Sequence, residues 1–424
     1  MATEKLSLLI MVNLSGQKQN KNSRTELVSQ SMGSVFTYIQ FTHIIHIITQ
    51  EKNVKKILLL IITLTSTSLL ASKARLTALG EDTNGSFFIE DSRNIFLNPA
   101  FMNNFSSQLS FEYGNATTET ASPAAEGGLI LDKGNKKIGL YLGRISPETS
   151  EIIAESADIP GMNFYNPQNA IDLFYARSGT MDWGVGLHYA NSSSVQAAAV
   201  EFPDSEATVM VLSGGVSTNK FSGYLHLGLT QKSNRDNAVA NSDEFTGSNR
   251  LSLGGHYKLN DHAKLGLKVL ANKIEVSEVT PQYEKSVSNF SVVYFSKIKT
   301  KNEVMNLFYT AGLASNSAVL NPNGSSVNSE ESSLLLPISF GVEASIKEWM
   351  ILRASIKQNT LINEDRVKTT TSDVTTKNEQ NTVVSLGAGF KFGDFDFDAI
   401  SAVTGTGDFN TMSLLTNISA AYKF

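Results

Sequence analysis

From about residue 107 to residue 424 the sequence keeps one rhythm, an apolar side chain followed by a small or polar one. Successive side chains on a β-strand point to opposite faces, so a period of two builds a sheet with one oily and one polar side. Residues 333–347 carry the pattern most clearly. Leu334, Leu336, Ile338, Phe340, Val342, Ala344 and Ile346 share one face, and Leu335, Pro337, Ser339, Gly341, Glu343, Ser345 and Lys347 share the other. The same split sets Phe221, Leu225, Leu227 and Leu229 against Ser222, Tyr224, His226 and Thr230. Leu251, Leu253, Tyr257 and Leu259 oppose Arg250, Ser252, His256 and Lys258. Leu265, Leu267 and Val269 oppose Lys264, Gly266 and Lys268, while Leu352, Ala354 and Ile356 oppose Arg353, Ser355 and Lys357. Soluble sandwiches also alternate, but their strands usually run about 5–6 residues, and many runs here are far longer.

Short, turn-rich joins at residues 133–136, 178–180, 218–220, 260–261, 299–301, 347–348 and 393–394 alternate with longer polar stretches such as 146–168, 232–247, 315–331 and 363–381. Short turns on one side and long loops on the other are the habit of outer-membrane barrels. Seven short turns and eight loops predict about 16 strands of roughly 9–12 residues. Without the weakly patterned first pair the number is 14. The expected fold is all-β, a transmembrane antiparallel barrel of about 14–16 strands over residues 107–424.

Composition agrees with a barrel. Of the 424 residues 41 % are apolar and only 18 % charged, against about 25 % charged in soluble proteins. A helical membrane protein needs several runs of roughly 20 apolar residues, and only residues 57–70 come near one. A barrel hides its apolar content by alternating it. The absence of cysteine excludes disulfides, Cys-based zinc sites, iron–sulfur clusters and thiol nucleophiles. Residues 1–74 hold 8 basic and 3 acidic side chains, leaving the remainder with 27 basic and 37 acidic, net −10. No nucleic-acid partner is expected of such a chain.

Residues 54–74 read as a signal peptide. Lys55 and Lys56 precede the apolar run, and Ser72 and Ala74 put small residues at the −3 and −1 positions of a cleavage site, so the mature chain is expected to start at Arg75. Residues 1–53 differ in texture and are expected to be an upstream extension outside the translated precursor, with initiation at Val54 through a non-AUG codon, or else a disordered leader. At the other end Ile418, Ala420, Tyr422 and Phe424 share one face of a terminal strand. An aromatic residue closing an alternating last strand resembles the assembly signal of bacterial outer-membrane barrels, read by the barrel assembly machinery. The last strand must pair with the first, because an open edge in lipid leaves unpaired backbone groups.

Residues 75–106 do not alternate. They contain Leu79-Gly80, the acidic pair Glu90-Asp91, Asn94, and the box Asn98-Pro99-Ala100. In these residues the chain resembles the long-chain fatty acid transporter family of outer-membrane barrels, the FadL-like or OMPP1 group. The resemblance implies that residues 75–106 fold as a plug, or hatch, inside the lumen, with Asn94, Asn98, Pro99 and Ala100 in it. It also implies that strand one follows at residues 109–113. Proline fixes φ and removes a donor, and a short Asn side chain can bond its own backbone in a turn; both suit an irregular segment. A plain turn before strand one is the simpler alternative.

No nucleophile elbow, phosphate loop, HExxH or EF-hand pattern stands out. His188 near Ser192, Ser193 and Ser194 is read as a loop or lumen histidine rather than a lipase group. Asp394, Asp396 and Asp398 are read as solvated lumen carboxylates rather than a calcium site. No catalytic residue, metal or cofactor is expected. Arg250, His256, Lys258, Lys264, Lys268, Glu343, Lys347, Arg353 and Lys357 lie on the polar faces, where such charges bias which solutes pass. The expected role is an outer-membrane channel or transporter for small or hydrophobic solutes, gated by the plug and surrounded by outer-membrane lipid and lipopolysaccharide. The alternative is a structural or surface-interaction barrel through which no solute crosses.

Overall fold

The computed structural model describes residues 72–114, 125–158, 164–194, 205–235, 243–277, 282–300, 304–322, 329–362, 365–368, 373–376, 382–404 and 417–424. The upstream extension expected over residues 1–53, and residues 54–71 of the signal peptide expected over 54–74, lie outside the described residues. The described chain opens with helix α1 (Lys73–Ala78), helix α2 (Asn94–Leu97) and a 3-10 turn (Pro99–Asn104). Strands β1 (Gln108–Gly114), β2 (Glu126–Asp132) and β3 (Lys136–Leu142) follow, then helix α3 (Pro147–Asp158). The chain continues through β4 (Asn169–Arg177), β5 (Asp182–Ser194), β6 (Ser205–Ser217), β7 (Phe221–Arg235), β8 (Asp243–Asn260) and β9 (Ala263–Ser277). Next come β10 (Tyr283–Lys299), β11 (Met305–Pro322), β12 (Ser329–Lys347), β13 (Met350–Leu361), β14 (Asp365–Lys368) and β15 (Asp373–Thr376). The last three are β16 (Thr382–Phe392), β17 (Phe395–Thr404) and β18 (Asn417–Lys423).

The strands join in sequence order from β1 to β13; β13 then pairs with β16, and β16 leads through β17 to β18. The sheet closes where β18 returns to β1, with Gln108 opposite Lys423 and Gly114 opposite Asn417. β14 and β15 form a side hairpin against the end of β12. Sixteen antiparallel strands therefore form the barrel, the upper of the two expected numbers. Closure gives every edge a partner, which is what a sheet in lipid requires.

The two faces follow the sequence pattern. On β3 Ile138, Leu140 and Leu142 are exposed, whereas Lys137 and Tyr141 are buried. On β12 and β13 Phe340, Ile346, Leu352 and Ile356 face out, and Ser339, Glu343, Arg353 and Ser355 are buried. The outward set is the lipid-facing surface of a transmembrane barrel. Aromatic side chains cluster near the short turns: Trp349 stacks on Phe390, Tyr175 meets Trp183, and Tyr422 meets Phe395 at a tilt, 4.6 Å between centres, and stacks on Phe424 at 6.3 Å. Such a girdle marks a membrane interface, and short turns belong to the periplasmic side.

Three expectations need correction. Thr230 does not share a face with Ser222, Tyr224 and His226. The β6–β7 register shifts between Met210 and Val211, leaving Leu229 as an extra residue, so Gln231 and Ser233 are the buried ones beyond it. A bulge of this kind reverses the parity of everything downstream on its strand. Residues 146–168, read as an irregular loop, contain α3. Its Ile152 is fully buried in a cluster with Ala170, Ala190, Val209, Phe245, Ile274, Val276 and Tyr283. Finally, β11 and β12 reach 18 and 19 residues, well beyond the expected strand length.

Candidate functional site

Residues 72–106 pack against the inner face of the barrel wall through three anchor regions. At the first, Ser72 caps α1, its hydroxyl accepting from the Arg75 N–H at 3.0 Å and donating to Asp398 of β17 at 2.9 Å. The Lys73 ammonium pairs with Glu126 of β2, and its backbone N–H donates to Glu112 of β1 at 2.9 Å. The folded segment thus begins ahead of Arg75, and Ser72, Lys73 and Ala74 form the cap and first turn of its helix. Arg75 donates to Glu343 of β12 at 3.0 Å, and Arg353 of β13 reaches the same carboxylate at 2.8 Å while also pairing with Asp398.

At the second anchor Arg93, 2 % exposed, lies 2.8 Å from Glu112 and 3.4 Å from Glu126. Its guanidinium also sits 4.9 Å from the centre of the Phe96 ring. Burial works against this charge, but Glu112 and Glu126 raise the Arg93 pKa well above its ordinary value. Asp91 is different. Burial pushes its carboxyl up to about 7 against the opposing pull of Arg75, and its Oδ2 has no hydrogen-bond donor. Burial likewise raises Glu81, whose carboxylate accepts from the Ser86 hydroxyl at 2.7 Å.

The third anchor is the Asn-Pro-Ala box. The Asn98 carbonyl oxygen accepts from the Ala100 N–H at 2.9 Å, the local bond expected of it. Its amide also donates to the Val216 carbonyl at 3.0 Å and the Gly223 carbonyl at 3.1 Å, joining the segment to β6 and β7. Pro99 opens the 3-10 turn, and Ala100 is 1 % exposed. The fit depends on bare backbone in the wall. A Cβ on Gly184 would lie 2.5 Å from Pro99, and one on Gly215 would overlap the Asn98 side chain. Asn94 stays within the segment, accepting from the Ser86 N–H at 2.7 Å and donating to the Ile89 carbonyl at 2.8 Å.

The charges picked from the pattern divide into two groups. Arg250 is held by Glu148 at 2.8 Å and Glu151 at 3.0 Å, both on α3. Burial alone would raise the Glu148 carboxyl; the Arg250 charge instead holds it below the usual range. Glu343 and Arg353 are buried in the Arg75 network rather than open to the lumen. His256 accepts or donates at 2.8 Å with Ser222 and lies against Phe87 and Phe101. Lys264 donates to the Phe87 carbonyl at 3.0 Å. Lys268 and Lys357 line open space. Asp396 and Asp398 are buried, Asp398 within the Arg353 and Ser72 contacts, so they are not the solvated carboxylates expected. Asp172, Arg144 and His188 form a further buried cluster, with His188 2.9 Å from Asp172. Ile418, Ala420, Tyr422 and Phe424 alternate on β18 with the buried Asn417, Ser419 and Ala421.

The alternation alone did not single out Lys73, Arg93, Glu112 or Glu126, and it placed Asp398 inward without its partners. The signal for the wall acids was present, since each occupies the inward parity of its strand.

A cavity of about 560 Å³ lies between the segment and the wall. Phe87, Phe88, Phe96, Phe174 and Tyr224 supply apolar surface, and Glu148, Asp172, Arg144, Arg250, Lys268 and Lys357 supply charge. Arg144 and Asp172, and Arg250 and Glu148, are paired, and Glu81 and Asp82 also line the cavity with Glu81 acting on Lys357, which leaves Lys268 the charge most open to a solute. Pockets of about 300–1,000 Å³ suit small organic molecules.

No protein-family profile matches the chain, and no curated protein matches its sequence. Among solved structures it is similar to the Ralstonia pickettii toluene transporter TbuX, at 10 % identity, covering 84 % of this chain and 98 % of that one with a TM-score of 0.35. It is also similar to the Pseudomonas putida toluene transporter TodX, at 11 % identity, covering 84 % and 99 % with a TM-score of 0.36. A Pseudomonas aeruginosa FadL homologue matches at 12 % identity, 84 % and 98 % coverage and a TM-score of 0.38. The chain is a closed 16-stranded barrel of the outer-membrane type, and it resembles the FadL-like barrels.

Proposed function

We propose that the protein is an outer-membrane channel for small solutes with an apolar body, and that residues 75–106 act as its plug. The observation that carries this reading is the cavity of about 560 Å³ between that segment and the inner wall, part aromatic and part charged. A water-filled lumen for small ions would not need the five aromatic rings, and a purely greasy conduit would not keep charged side chains in its lining. The plug is held by buried ion pairs, so passage is coupled to loosening them. In this reading the C-terminal strand engages the assembly machinery, and the outward apolar band meets lipid and lipopolysaccharide.

The test is conductance in planar bilayers, comparing the intact chain with a variant lacking residues 75–104. A large stable conductance only after deletion supports a plugged channel. Absence of conductance in both, with the barrel intact, favours the surface-interaction alternative and removes the channel reading.

A further inference from the structure

A second cavity, of about 300 Å³, lies at the short-turn end of the barrel beside the β8–β9 turn at Asp261 and His262. Phe88 is a wall of both cavities. Its ring stacks on Phe295 at 4.9 Å with the planes 6° apart, and Phe295 in turn stacks on Phe308 at 6.0 Å. The register along β9 explains the partition. Lys264, Gly266 and Lys268 share the inner face, and the Phe88 ring lies over Gly266, where a Cβ would stand 2.9 Å from it. Strand rise is about 3.3 Å per residue, so the two lysines lie about 13 Å apart with the ring between them. Lys264 belongs to the smaller cavity and Lys268 to the larger.

The smaller cavity is basic and aromatic. Lys264, Lys297 and Lys299 line it with Phe88, Phe295 and Phe308. Lys264 donates to a backbone carbonyl, Lys297 lies 5.5 Å over the Phe308 ring, and among the described residues none of the three is within ion-pair distance of a carboxylate, although Glu90 acts on Lys264 and Lys297 and Glu343 on Lys297. Of the two acids there, Asp261 is held by Lys258 at 2.8 Å, which leaves Glu90 against three ammonium groups. A stack of rings beside an excess of positive charge, Arg75, Lys264, Lys297 and Lys299 against Glu90 and the Lys258-held Asp261, fits a flat apolar body carrying a negative charge.

We infer that this vestibule is a second binding site, one for a small aromatic carboxylate, and that Phe88 is the door between it and the larger cavity. The inference rests on the channel reading for its place along a route, and it names the solute class of that route. The ring of the solute lies among Phe88, Phe295 and Phe308, which line the cavity, and its carboxylate meets Lys297 and Lys299. Movement from one cavity to the other requires the Phe88 ring to leave Gly266 and Phe295.

The test is calorimetric titration of the full-length protein in detergent with sodium benzoate, benzyl alcohol and sodium acetate. Benzoate is expected to bind more tightly than either of the others. Replacing both Lys297→Gln and Lys299→Gln should weaken benzoate binding about tenfold, about threefold per partly screened charge pair, and leave benzyl alcohol unchanged. Lys268→Gln is the control for the larger cavity and should leave benzoate affinity as it was. Among the described residues none of the three lysines is in a close ion pair, so the variants keep the barrel, as heat-modified gel mobility will report. The vestibule assignment is overturned if benzoate does not bind, if acetate binds equally well, or if Lys268→Gln rather than the double variant removes binding. Because the readout is equilibrium binding, it is independent of conductance: a barrel that binds benzoate here but never conducts ends the channel reading and leaves the site standing.

Discussion

Arg93→Gln is the sharpest test of the proposal that residues 75–106 act as a plug. The guanidinium is 2 % exposed, 2.8 Å from Glu112 and 3.4 Å from Glu126. Without it Glu126 retains only Lys73, and Glu112 keeps the Tyr141 hydroxyl at 3.3 Å and the Lys73 N–H. Breaking a buried pair by removing one partner costs about 3–5 kcal/mol, since the other charge stays buried. The cost falls on docking of the segment, because the barrel ladder itself does not pass through Arg93. At about 1.4 kcal/mol per decade, the docked-to-undocked ratio drops by roughly two to three and a half orders of magnitude. Planar-bilayer recordings should then show frequent long openings in place of a quiet baseline. Combining Arg93→Met with Glu112→Gln removes charge on both sides and should restore part of the quiet state. Wild-type conductance from Arg93→Gln, in a barrel still heat-modifiable on gels, would refute the claim that this ion pair holds a plug.

Asp91 makes docking pH-dependent. Its carboxyl rises from an ordinary 3.8 to about 7 in the folded segment. Its contribution is therefore full below about pH 4 and lost as pH rises through about 7, up to about 4 kcal/mol if the whole shift is realised. Openings should increase from pH 5 to pH 8, and Asp91→Asn should flatten that dependence; a wild-type channel equally quiet at both values contradicts it. Asn98→Ala loses bonds to the Val216 and Gly223 carbonyls and the Ala100 N–H. At about 0.5–1.5 kcal/mol each this amounts to about 2–4 kcal/mol, read as faster hydrogen exchange across residues 93–106. Gly184→Leu forces a side chain into the backbone of Pro99 and should open the channel without unfolding the barrel. Removing Phe424, whose N–H donates to the Ser107 carbonyl at 3.1 Å, should slow membrane assembly in pulse-chase gels.

Much of the architecture is local and therefore legible in the chain. Alternation assigns Leu352 outward and Arg353 inward because strand geometry leaves no other choice once one face is buried. The same rule places Tyr422 and Phe424 on one side of the closing strand. Parity failed at Leu229, where one extra residue in β7 reversed the faces, a change visible only from its partner strand. It also gave no sign that α3 would form within a polar stretch, since that helix depends on Arg250 and the inner-wall cluster around Ile152.

The sequence by itself therefore determined the sheet, its inside and outside, and which charges point inward. Only the tertiary structure decided which of those charges are free. Arg353 and Glu343 looked like lumen charges until Arg75, 268 residues away in sequence from Glu343, joined their cross-strand pair. The reason is physical: a strand's period is set by bonds within a few residues, whereas an ion pair across a barrel depends on which distant strand the closure brings opposite. Lys268 stays open to the cavity because closure brought no described carboxylate within ion-pair distance of it, whereas Lys357 shares the cavity with Glu81.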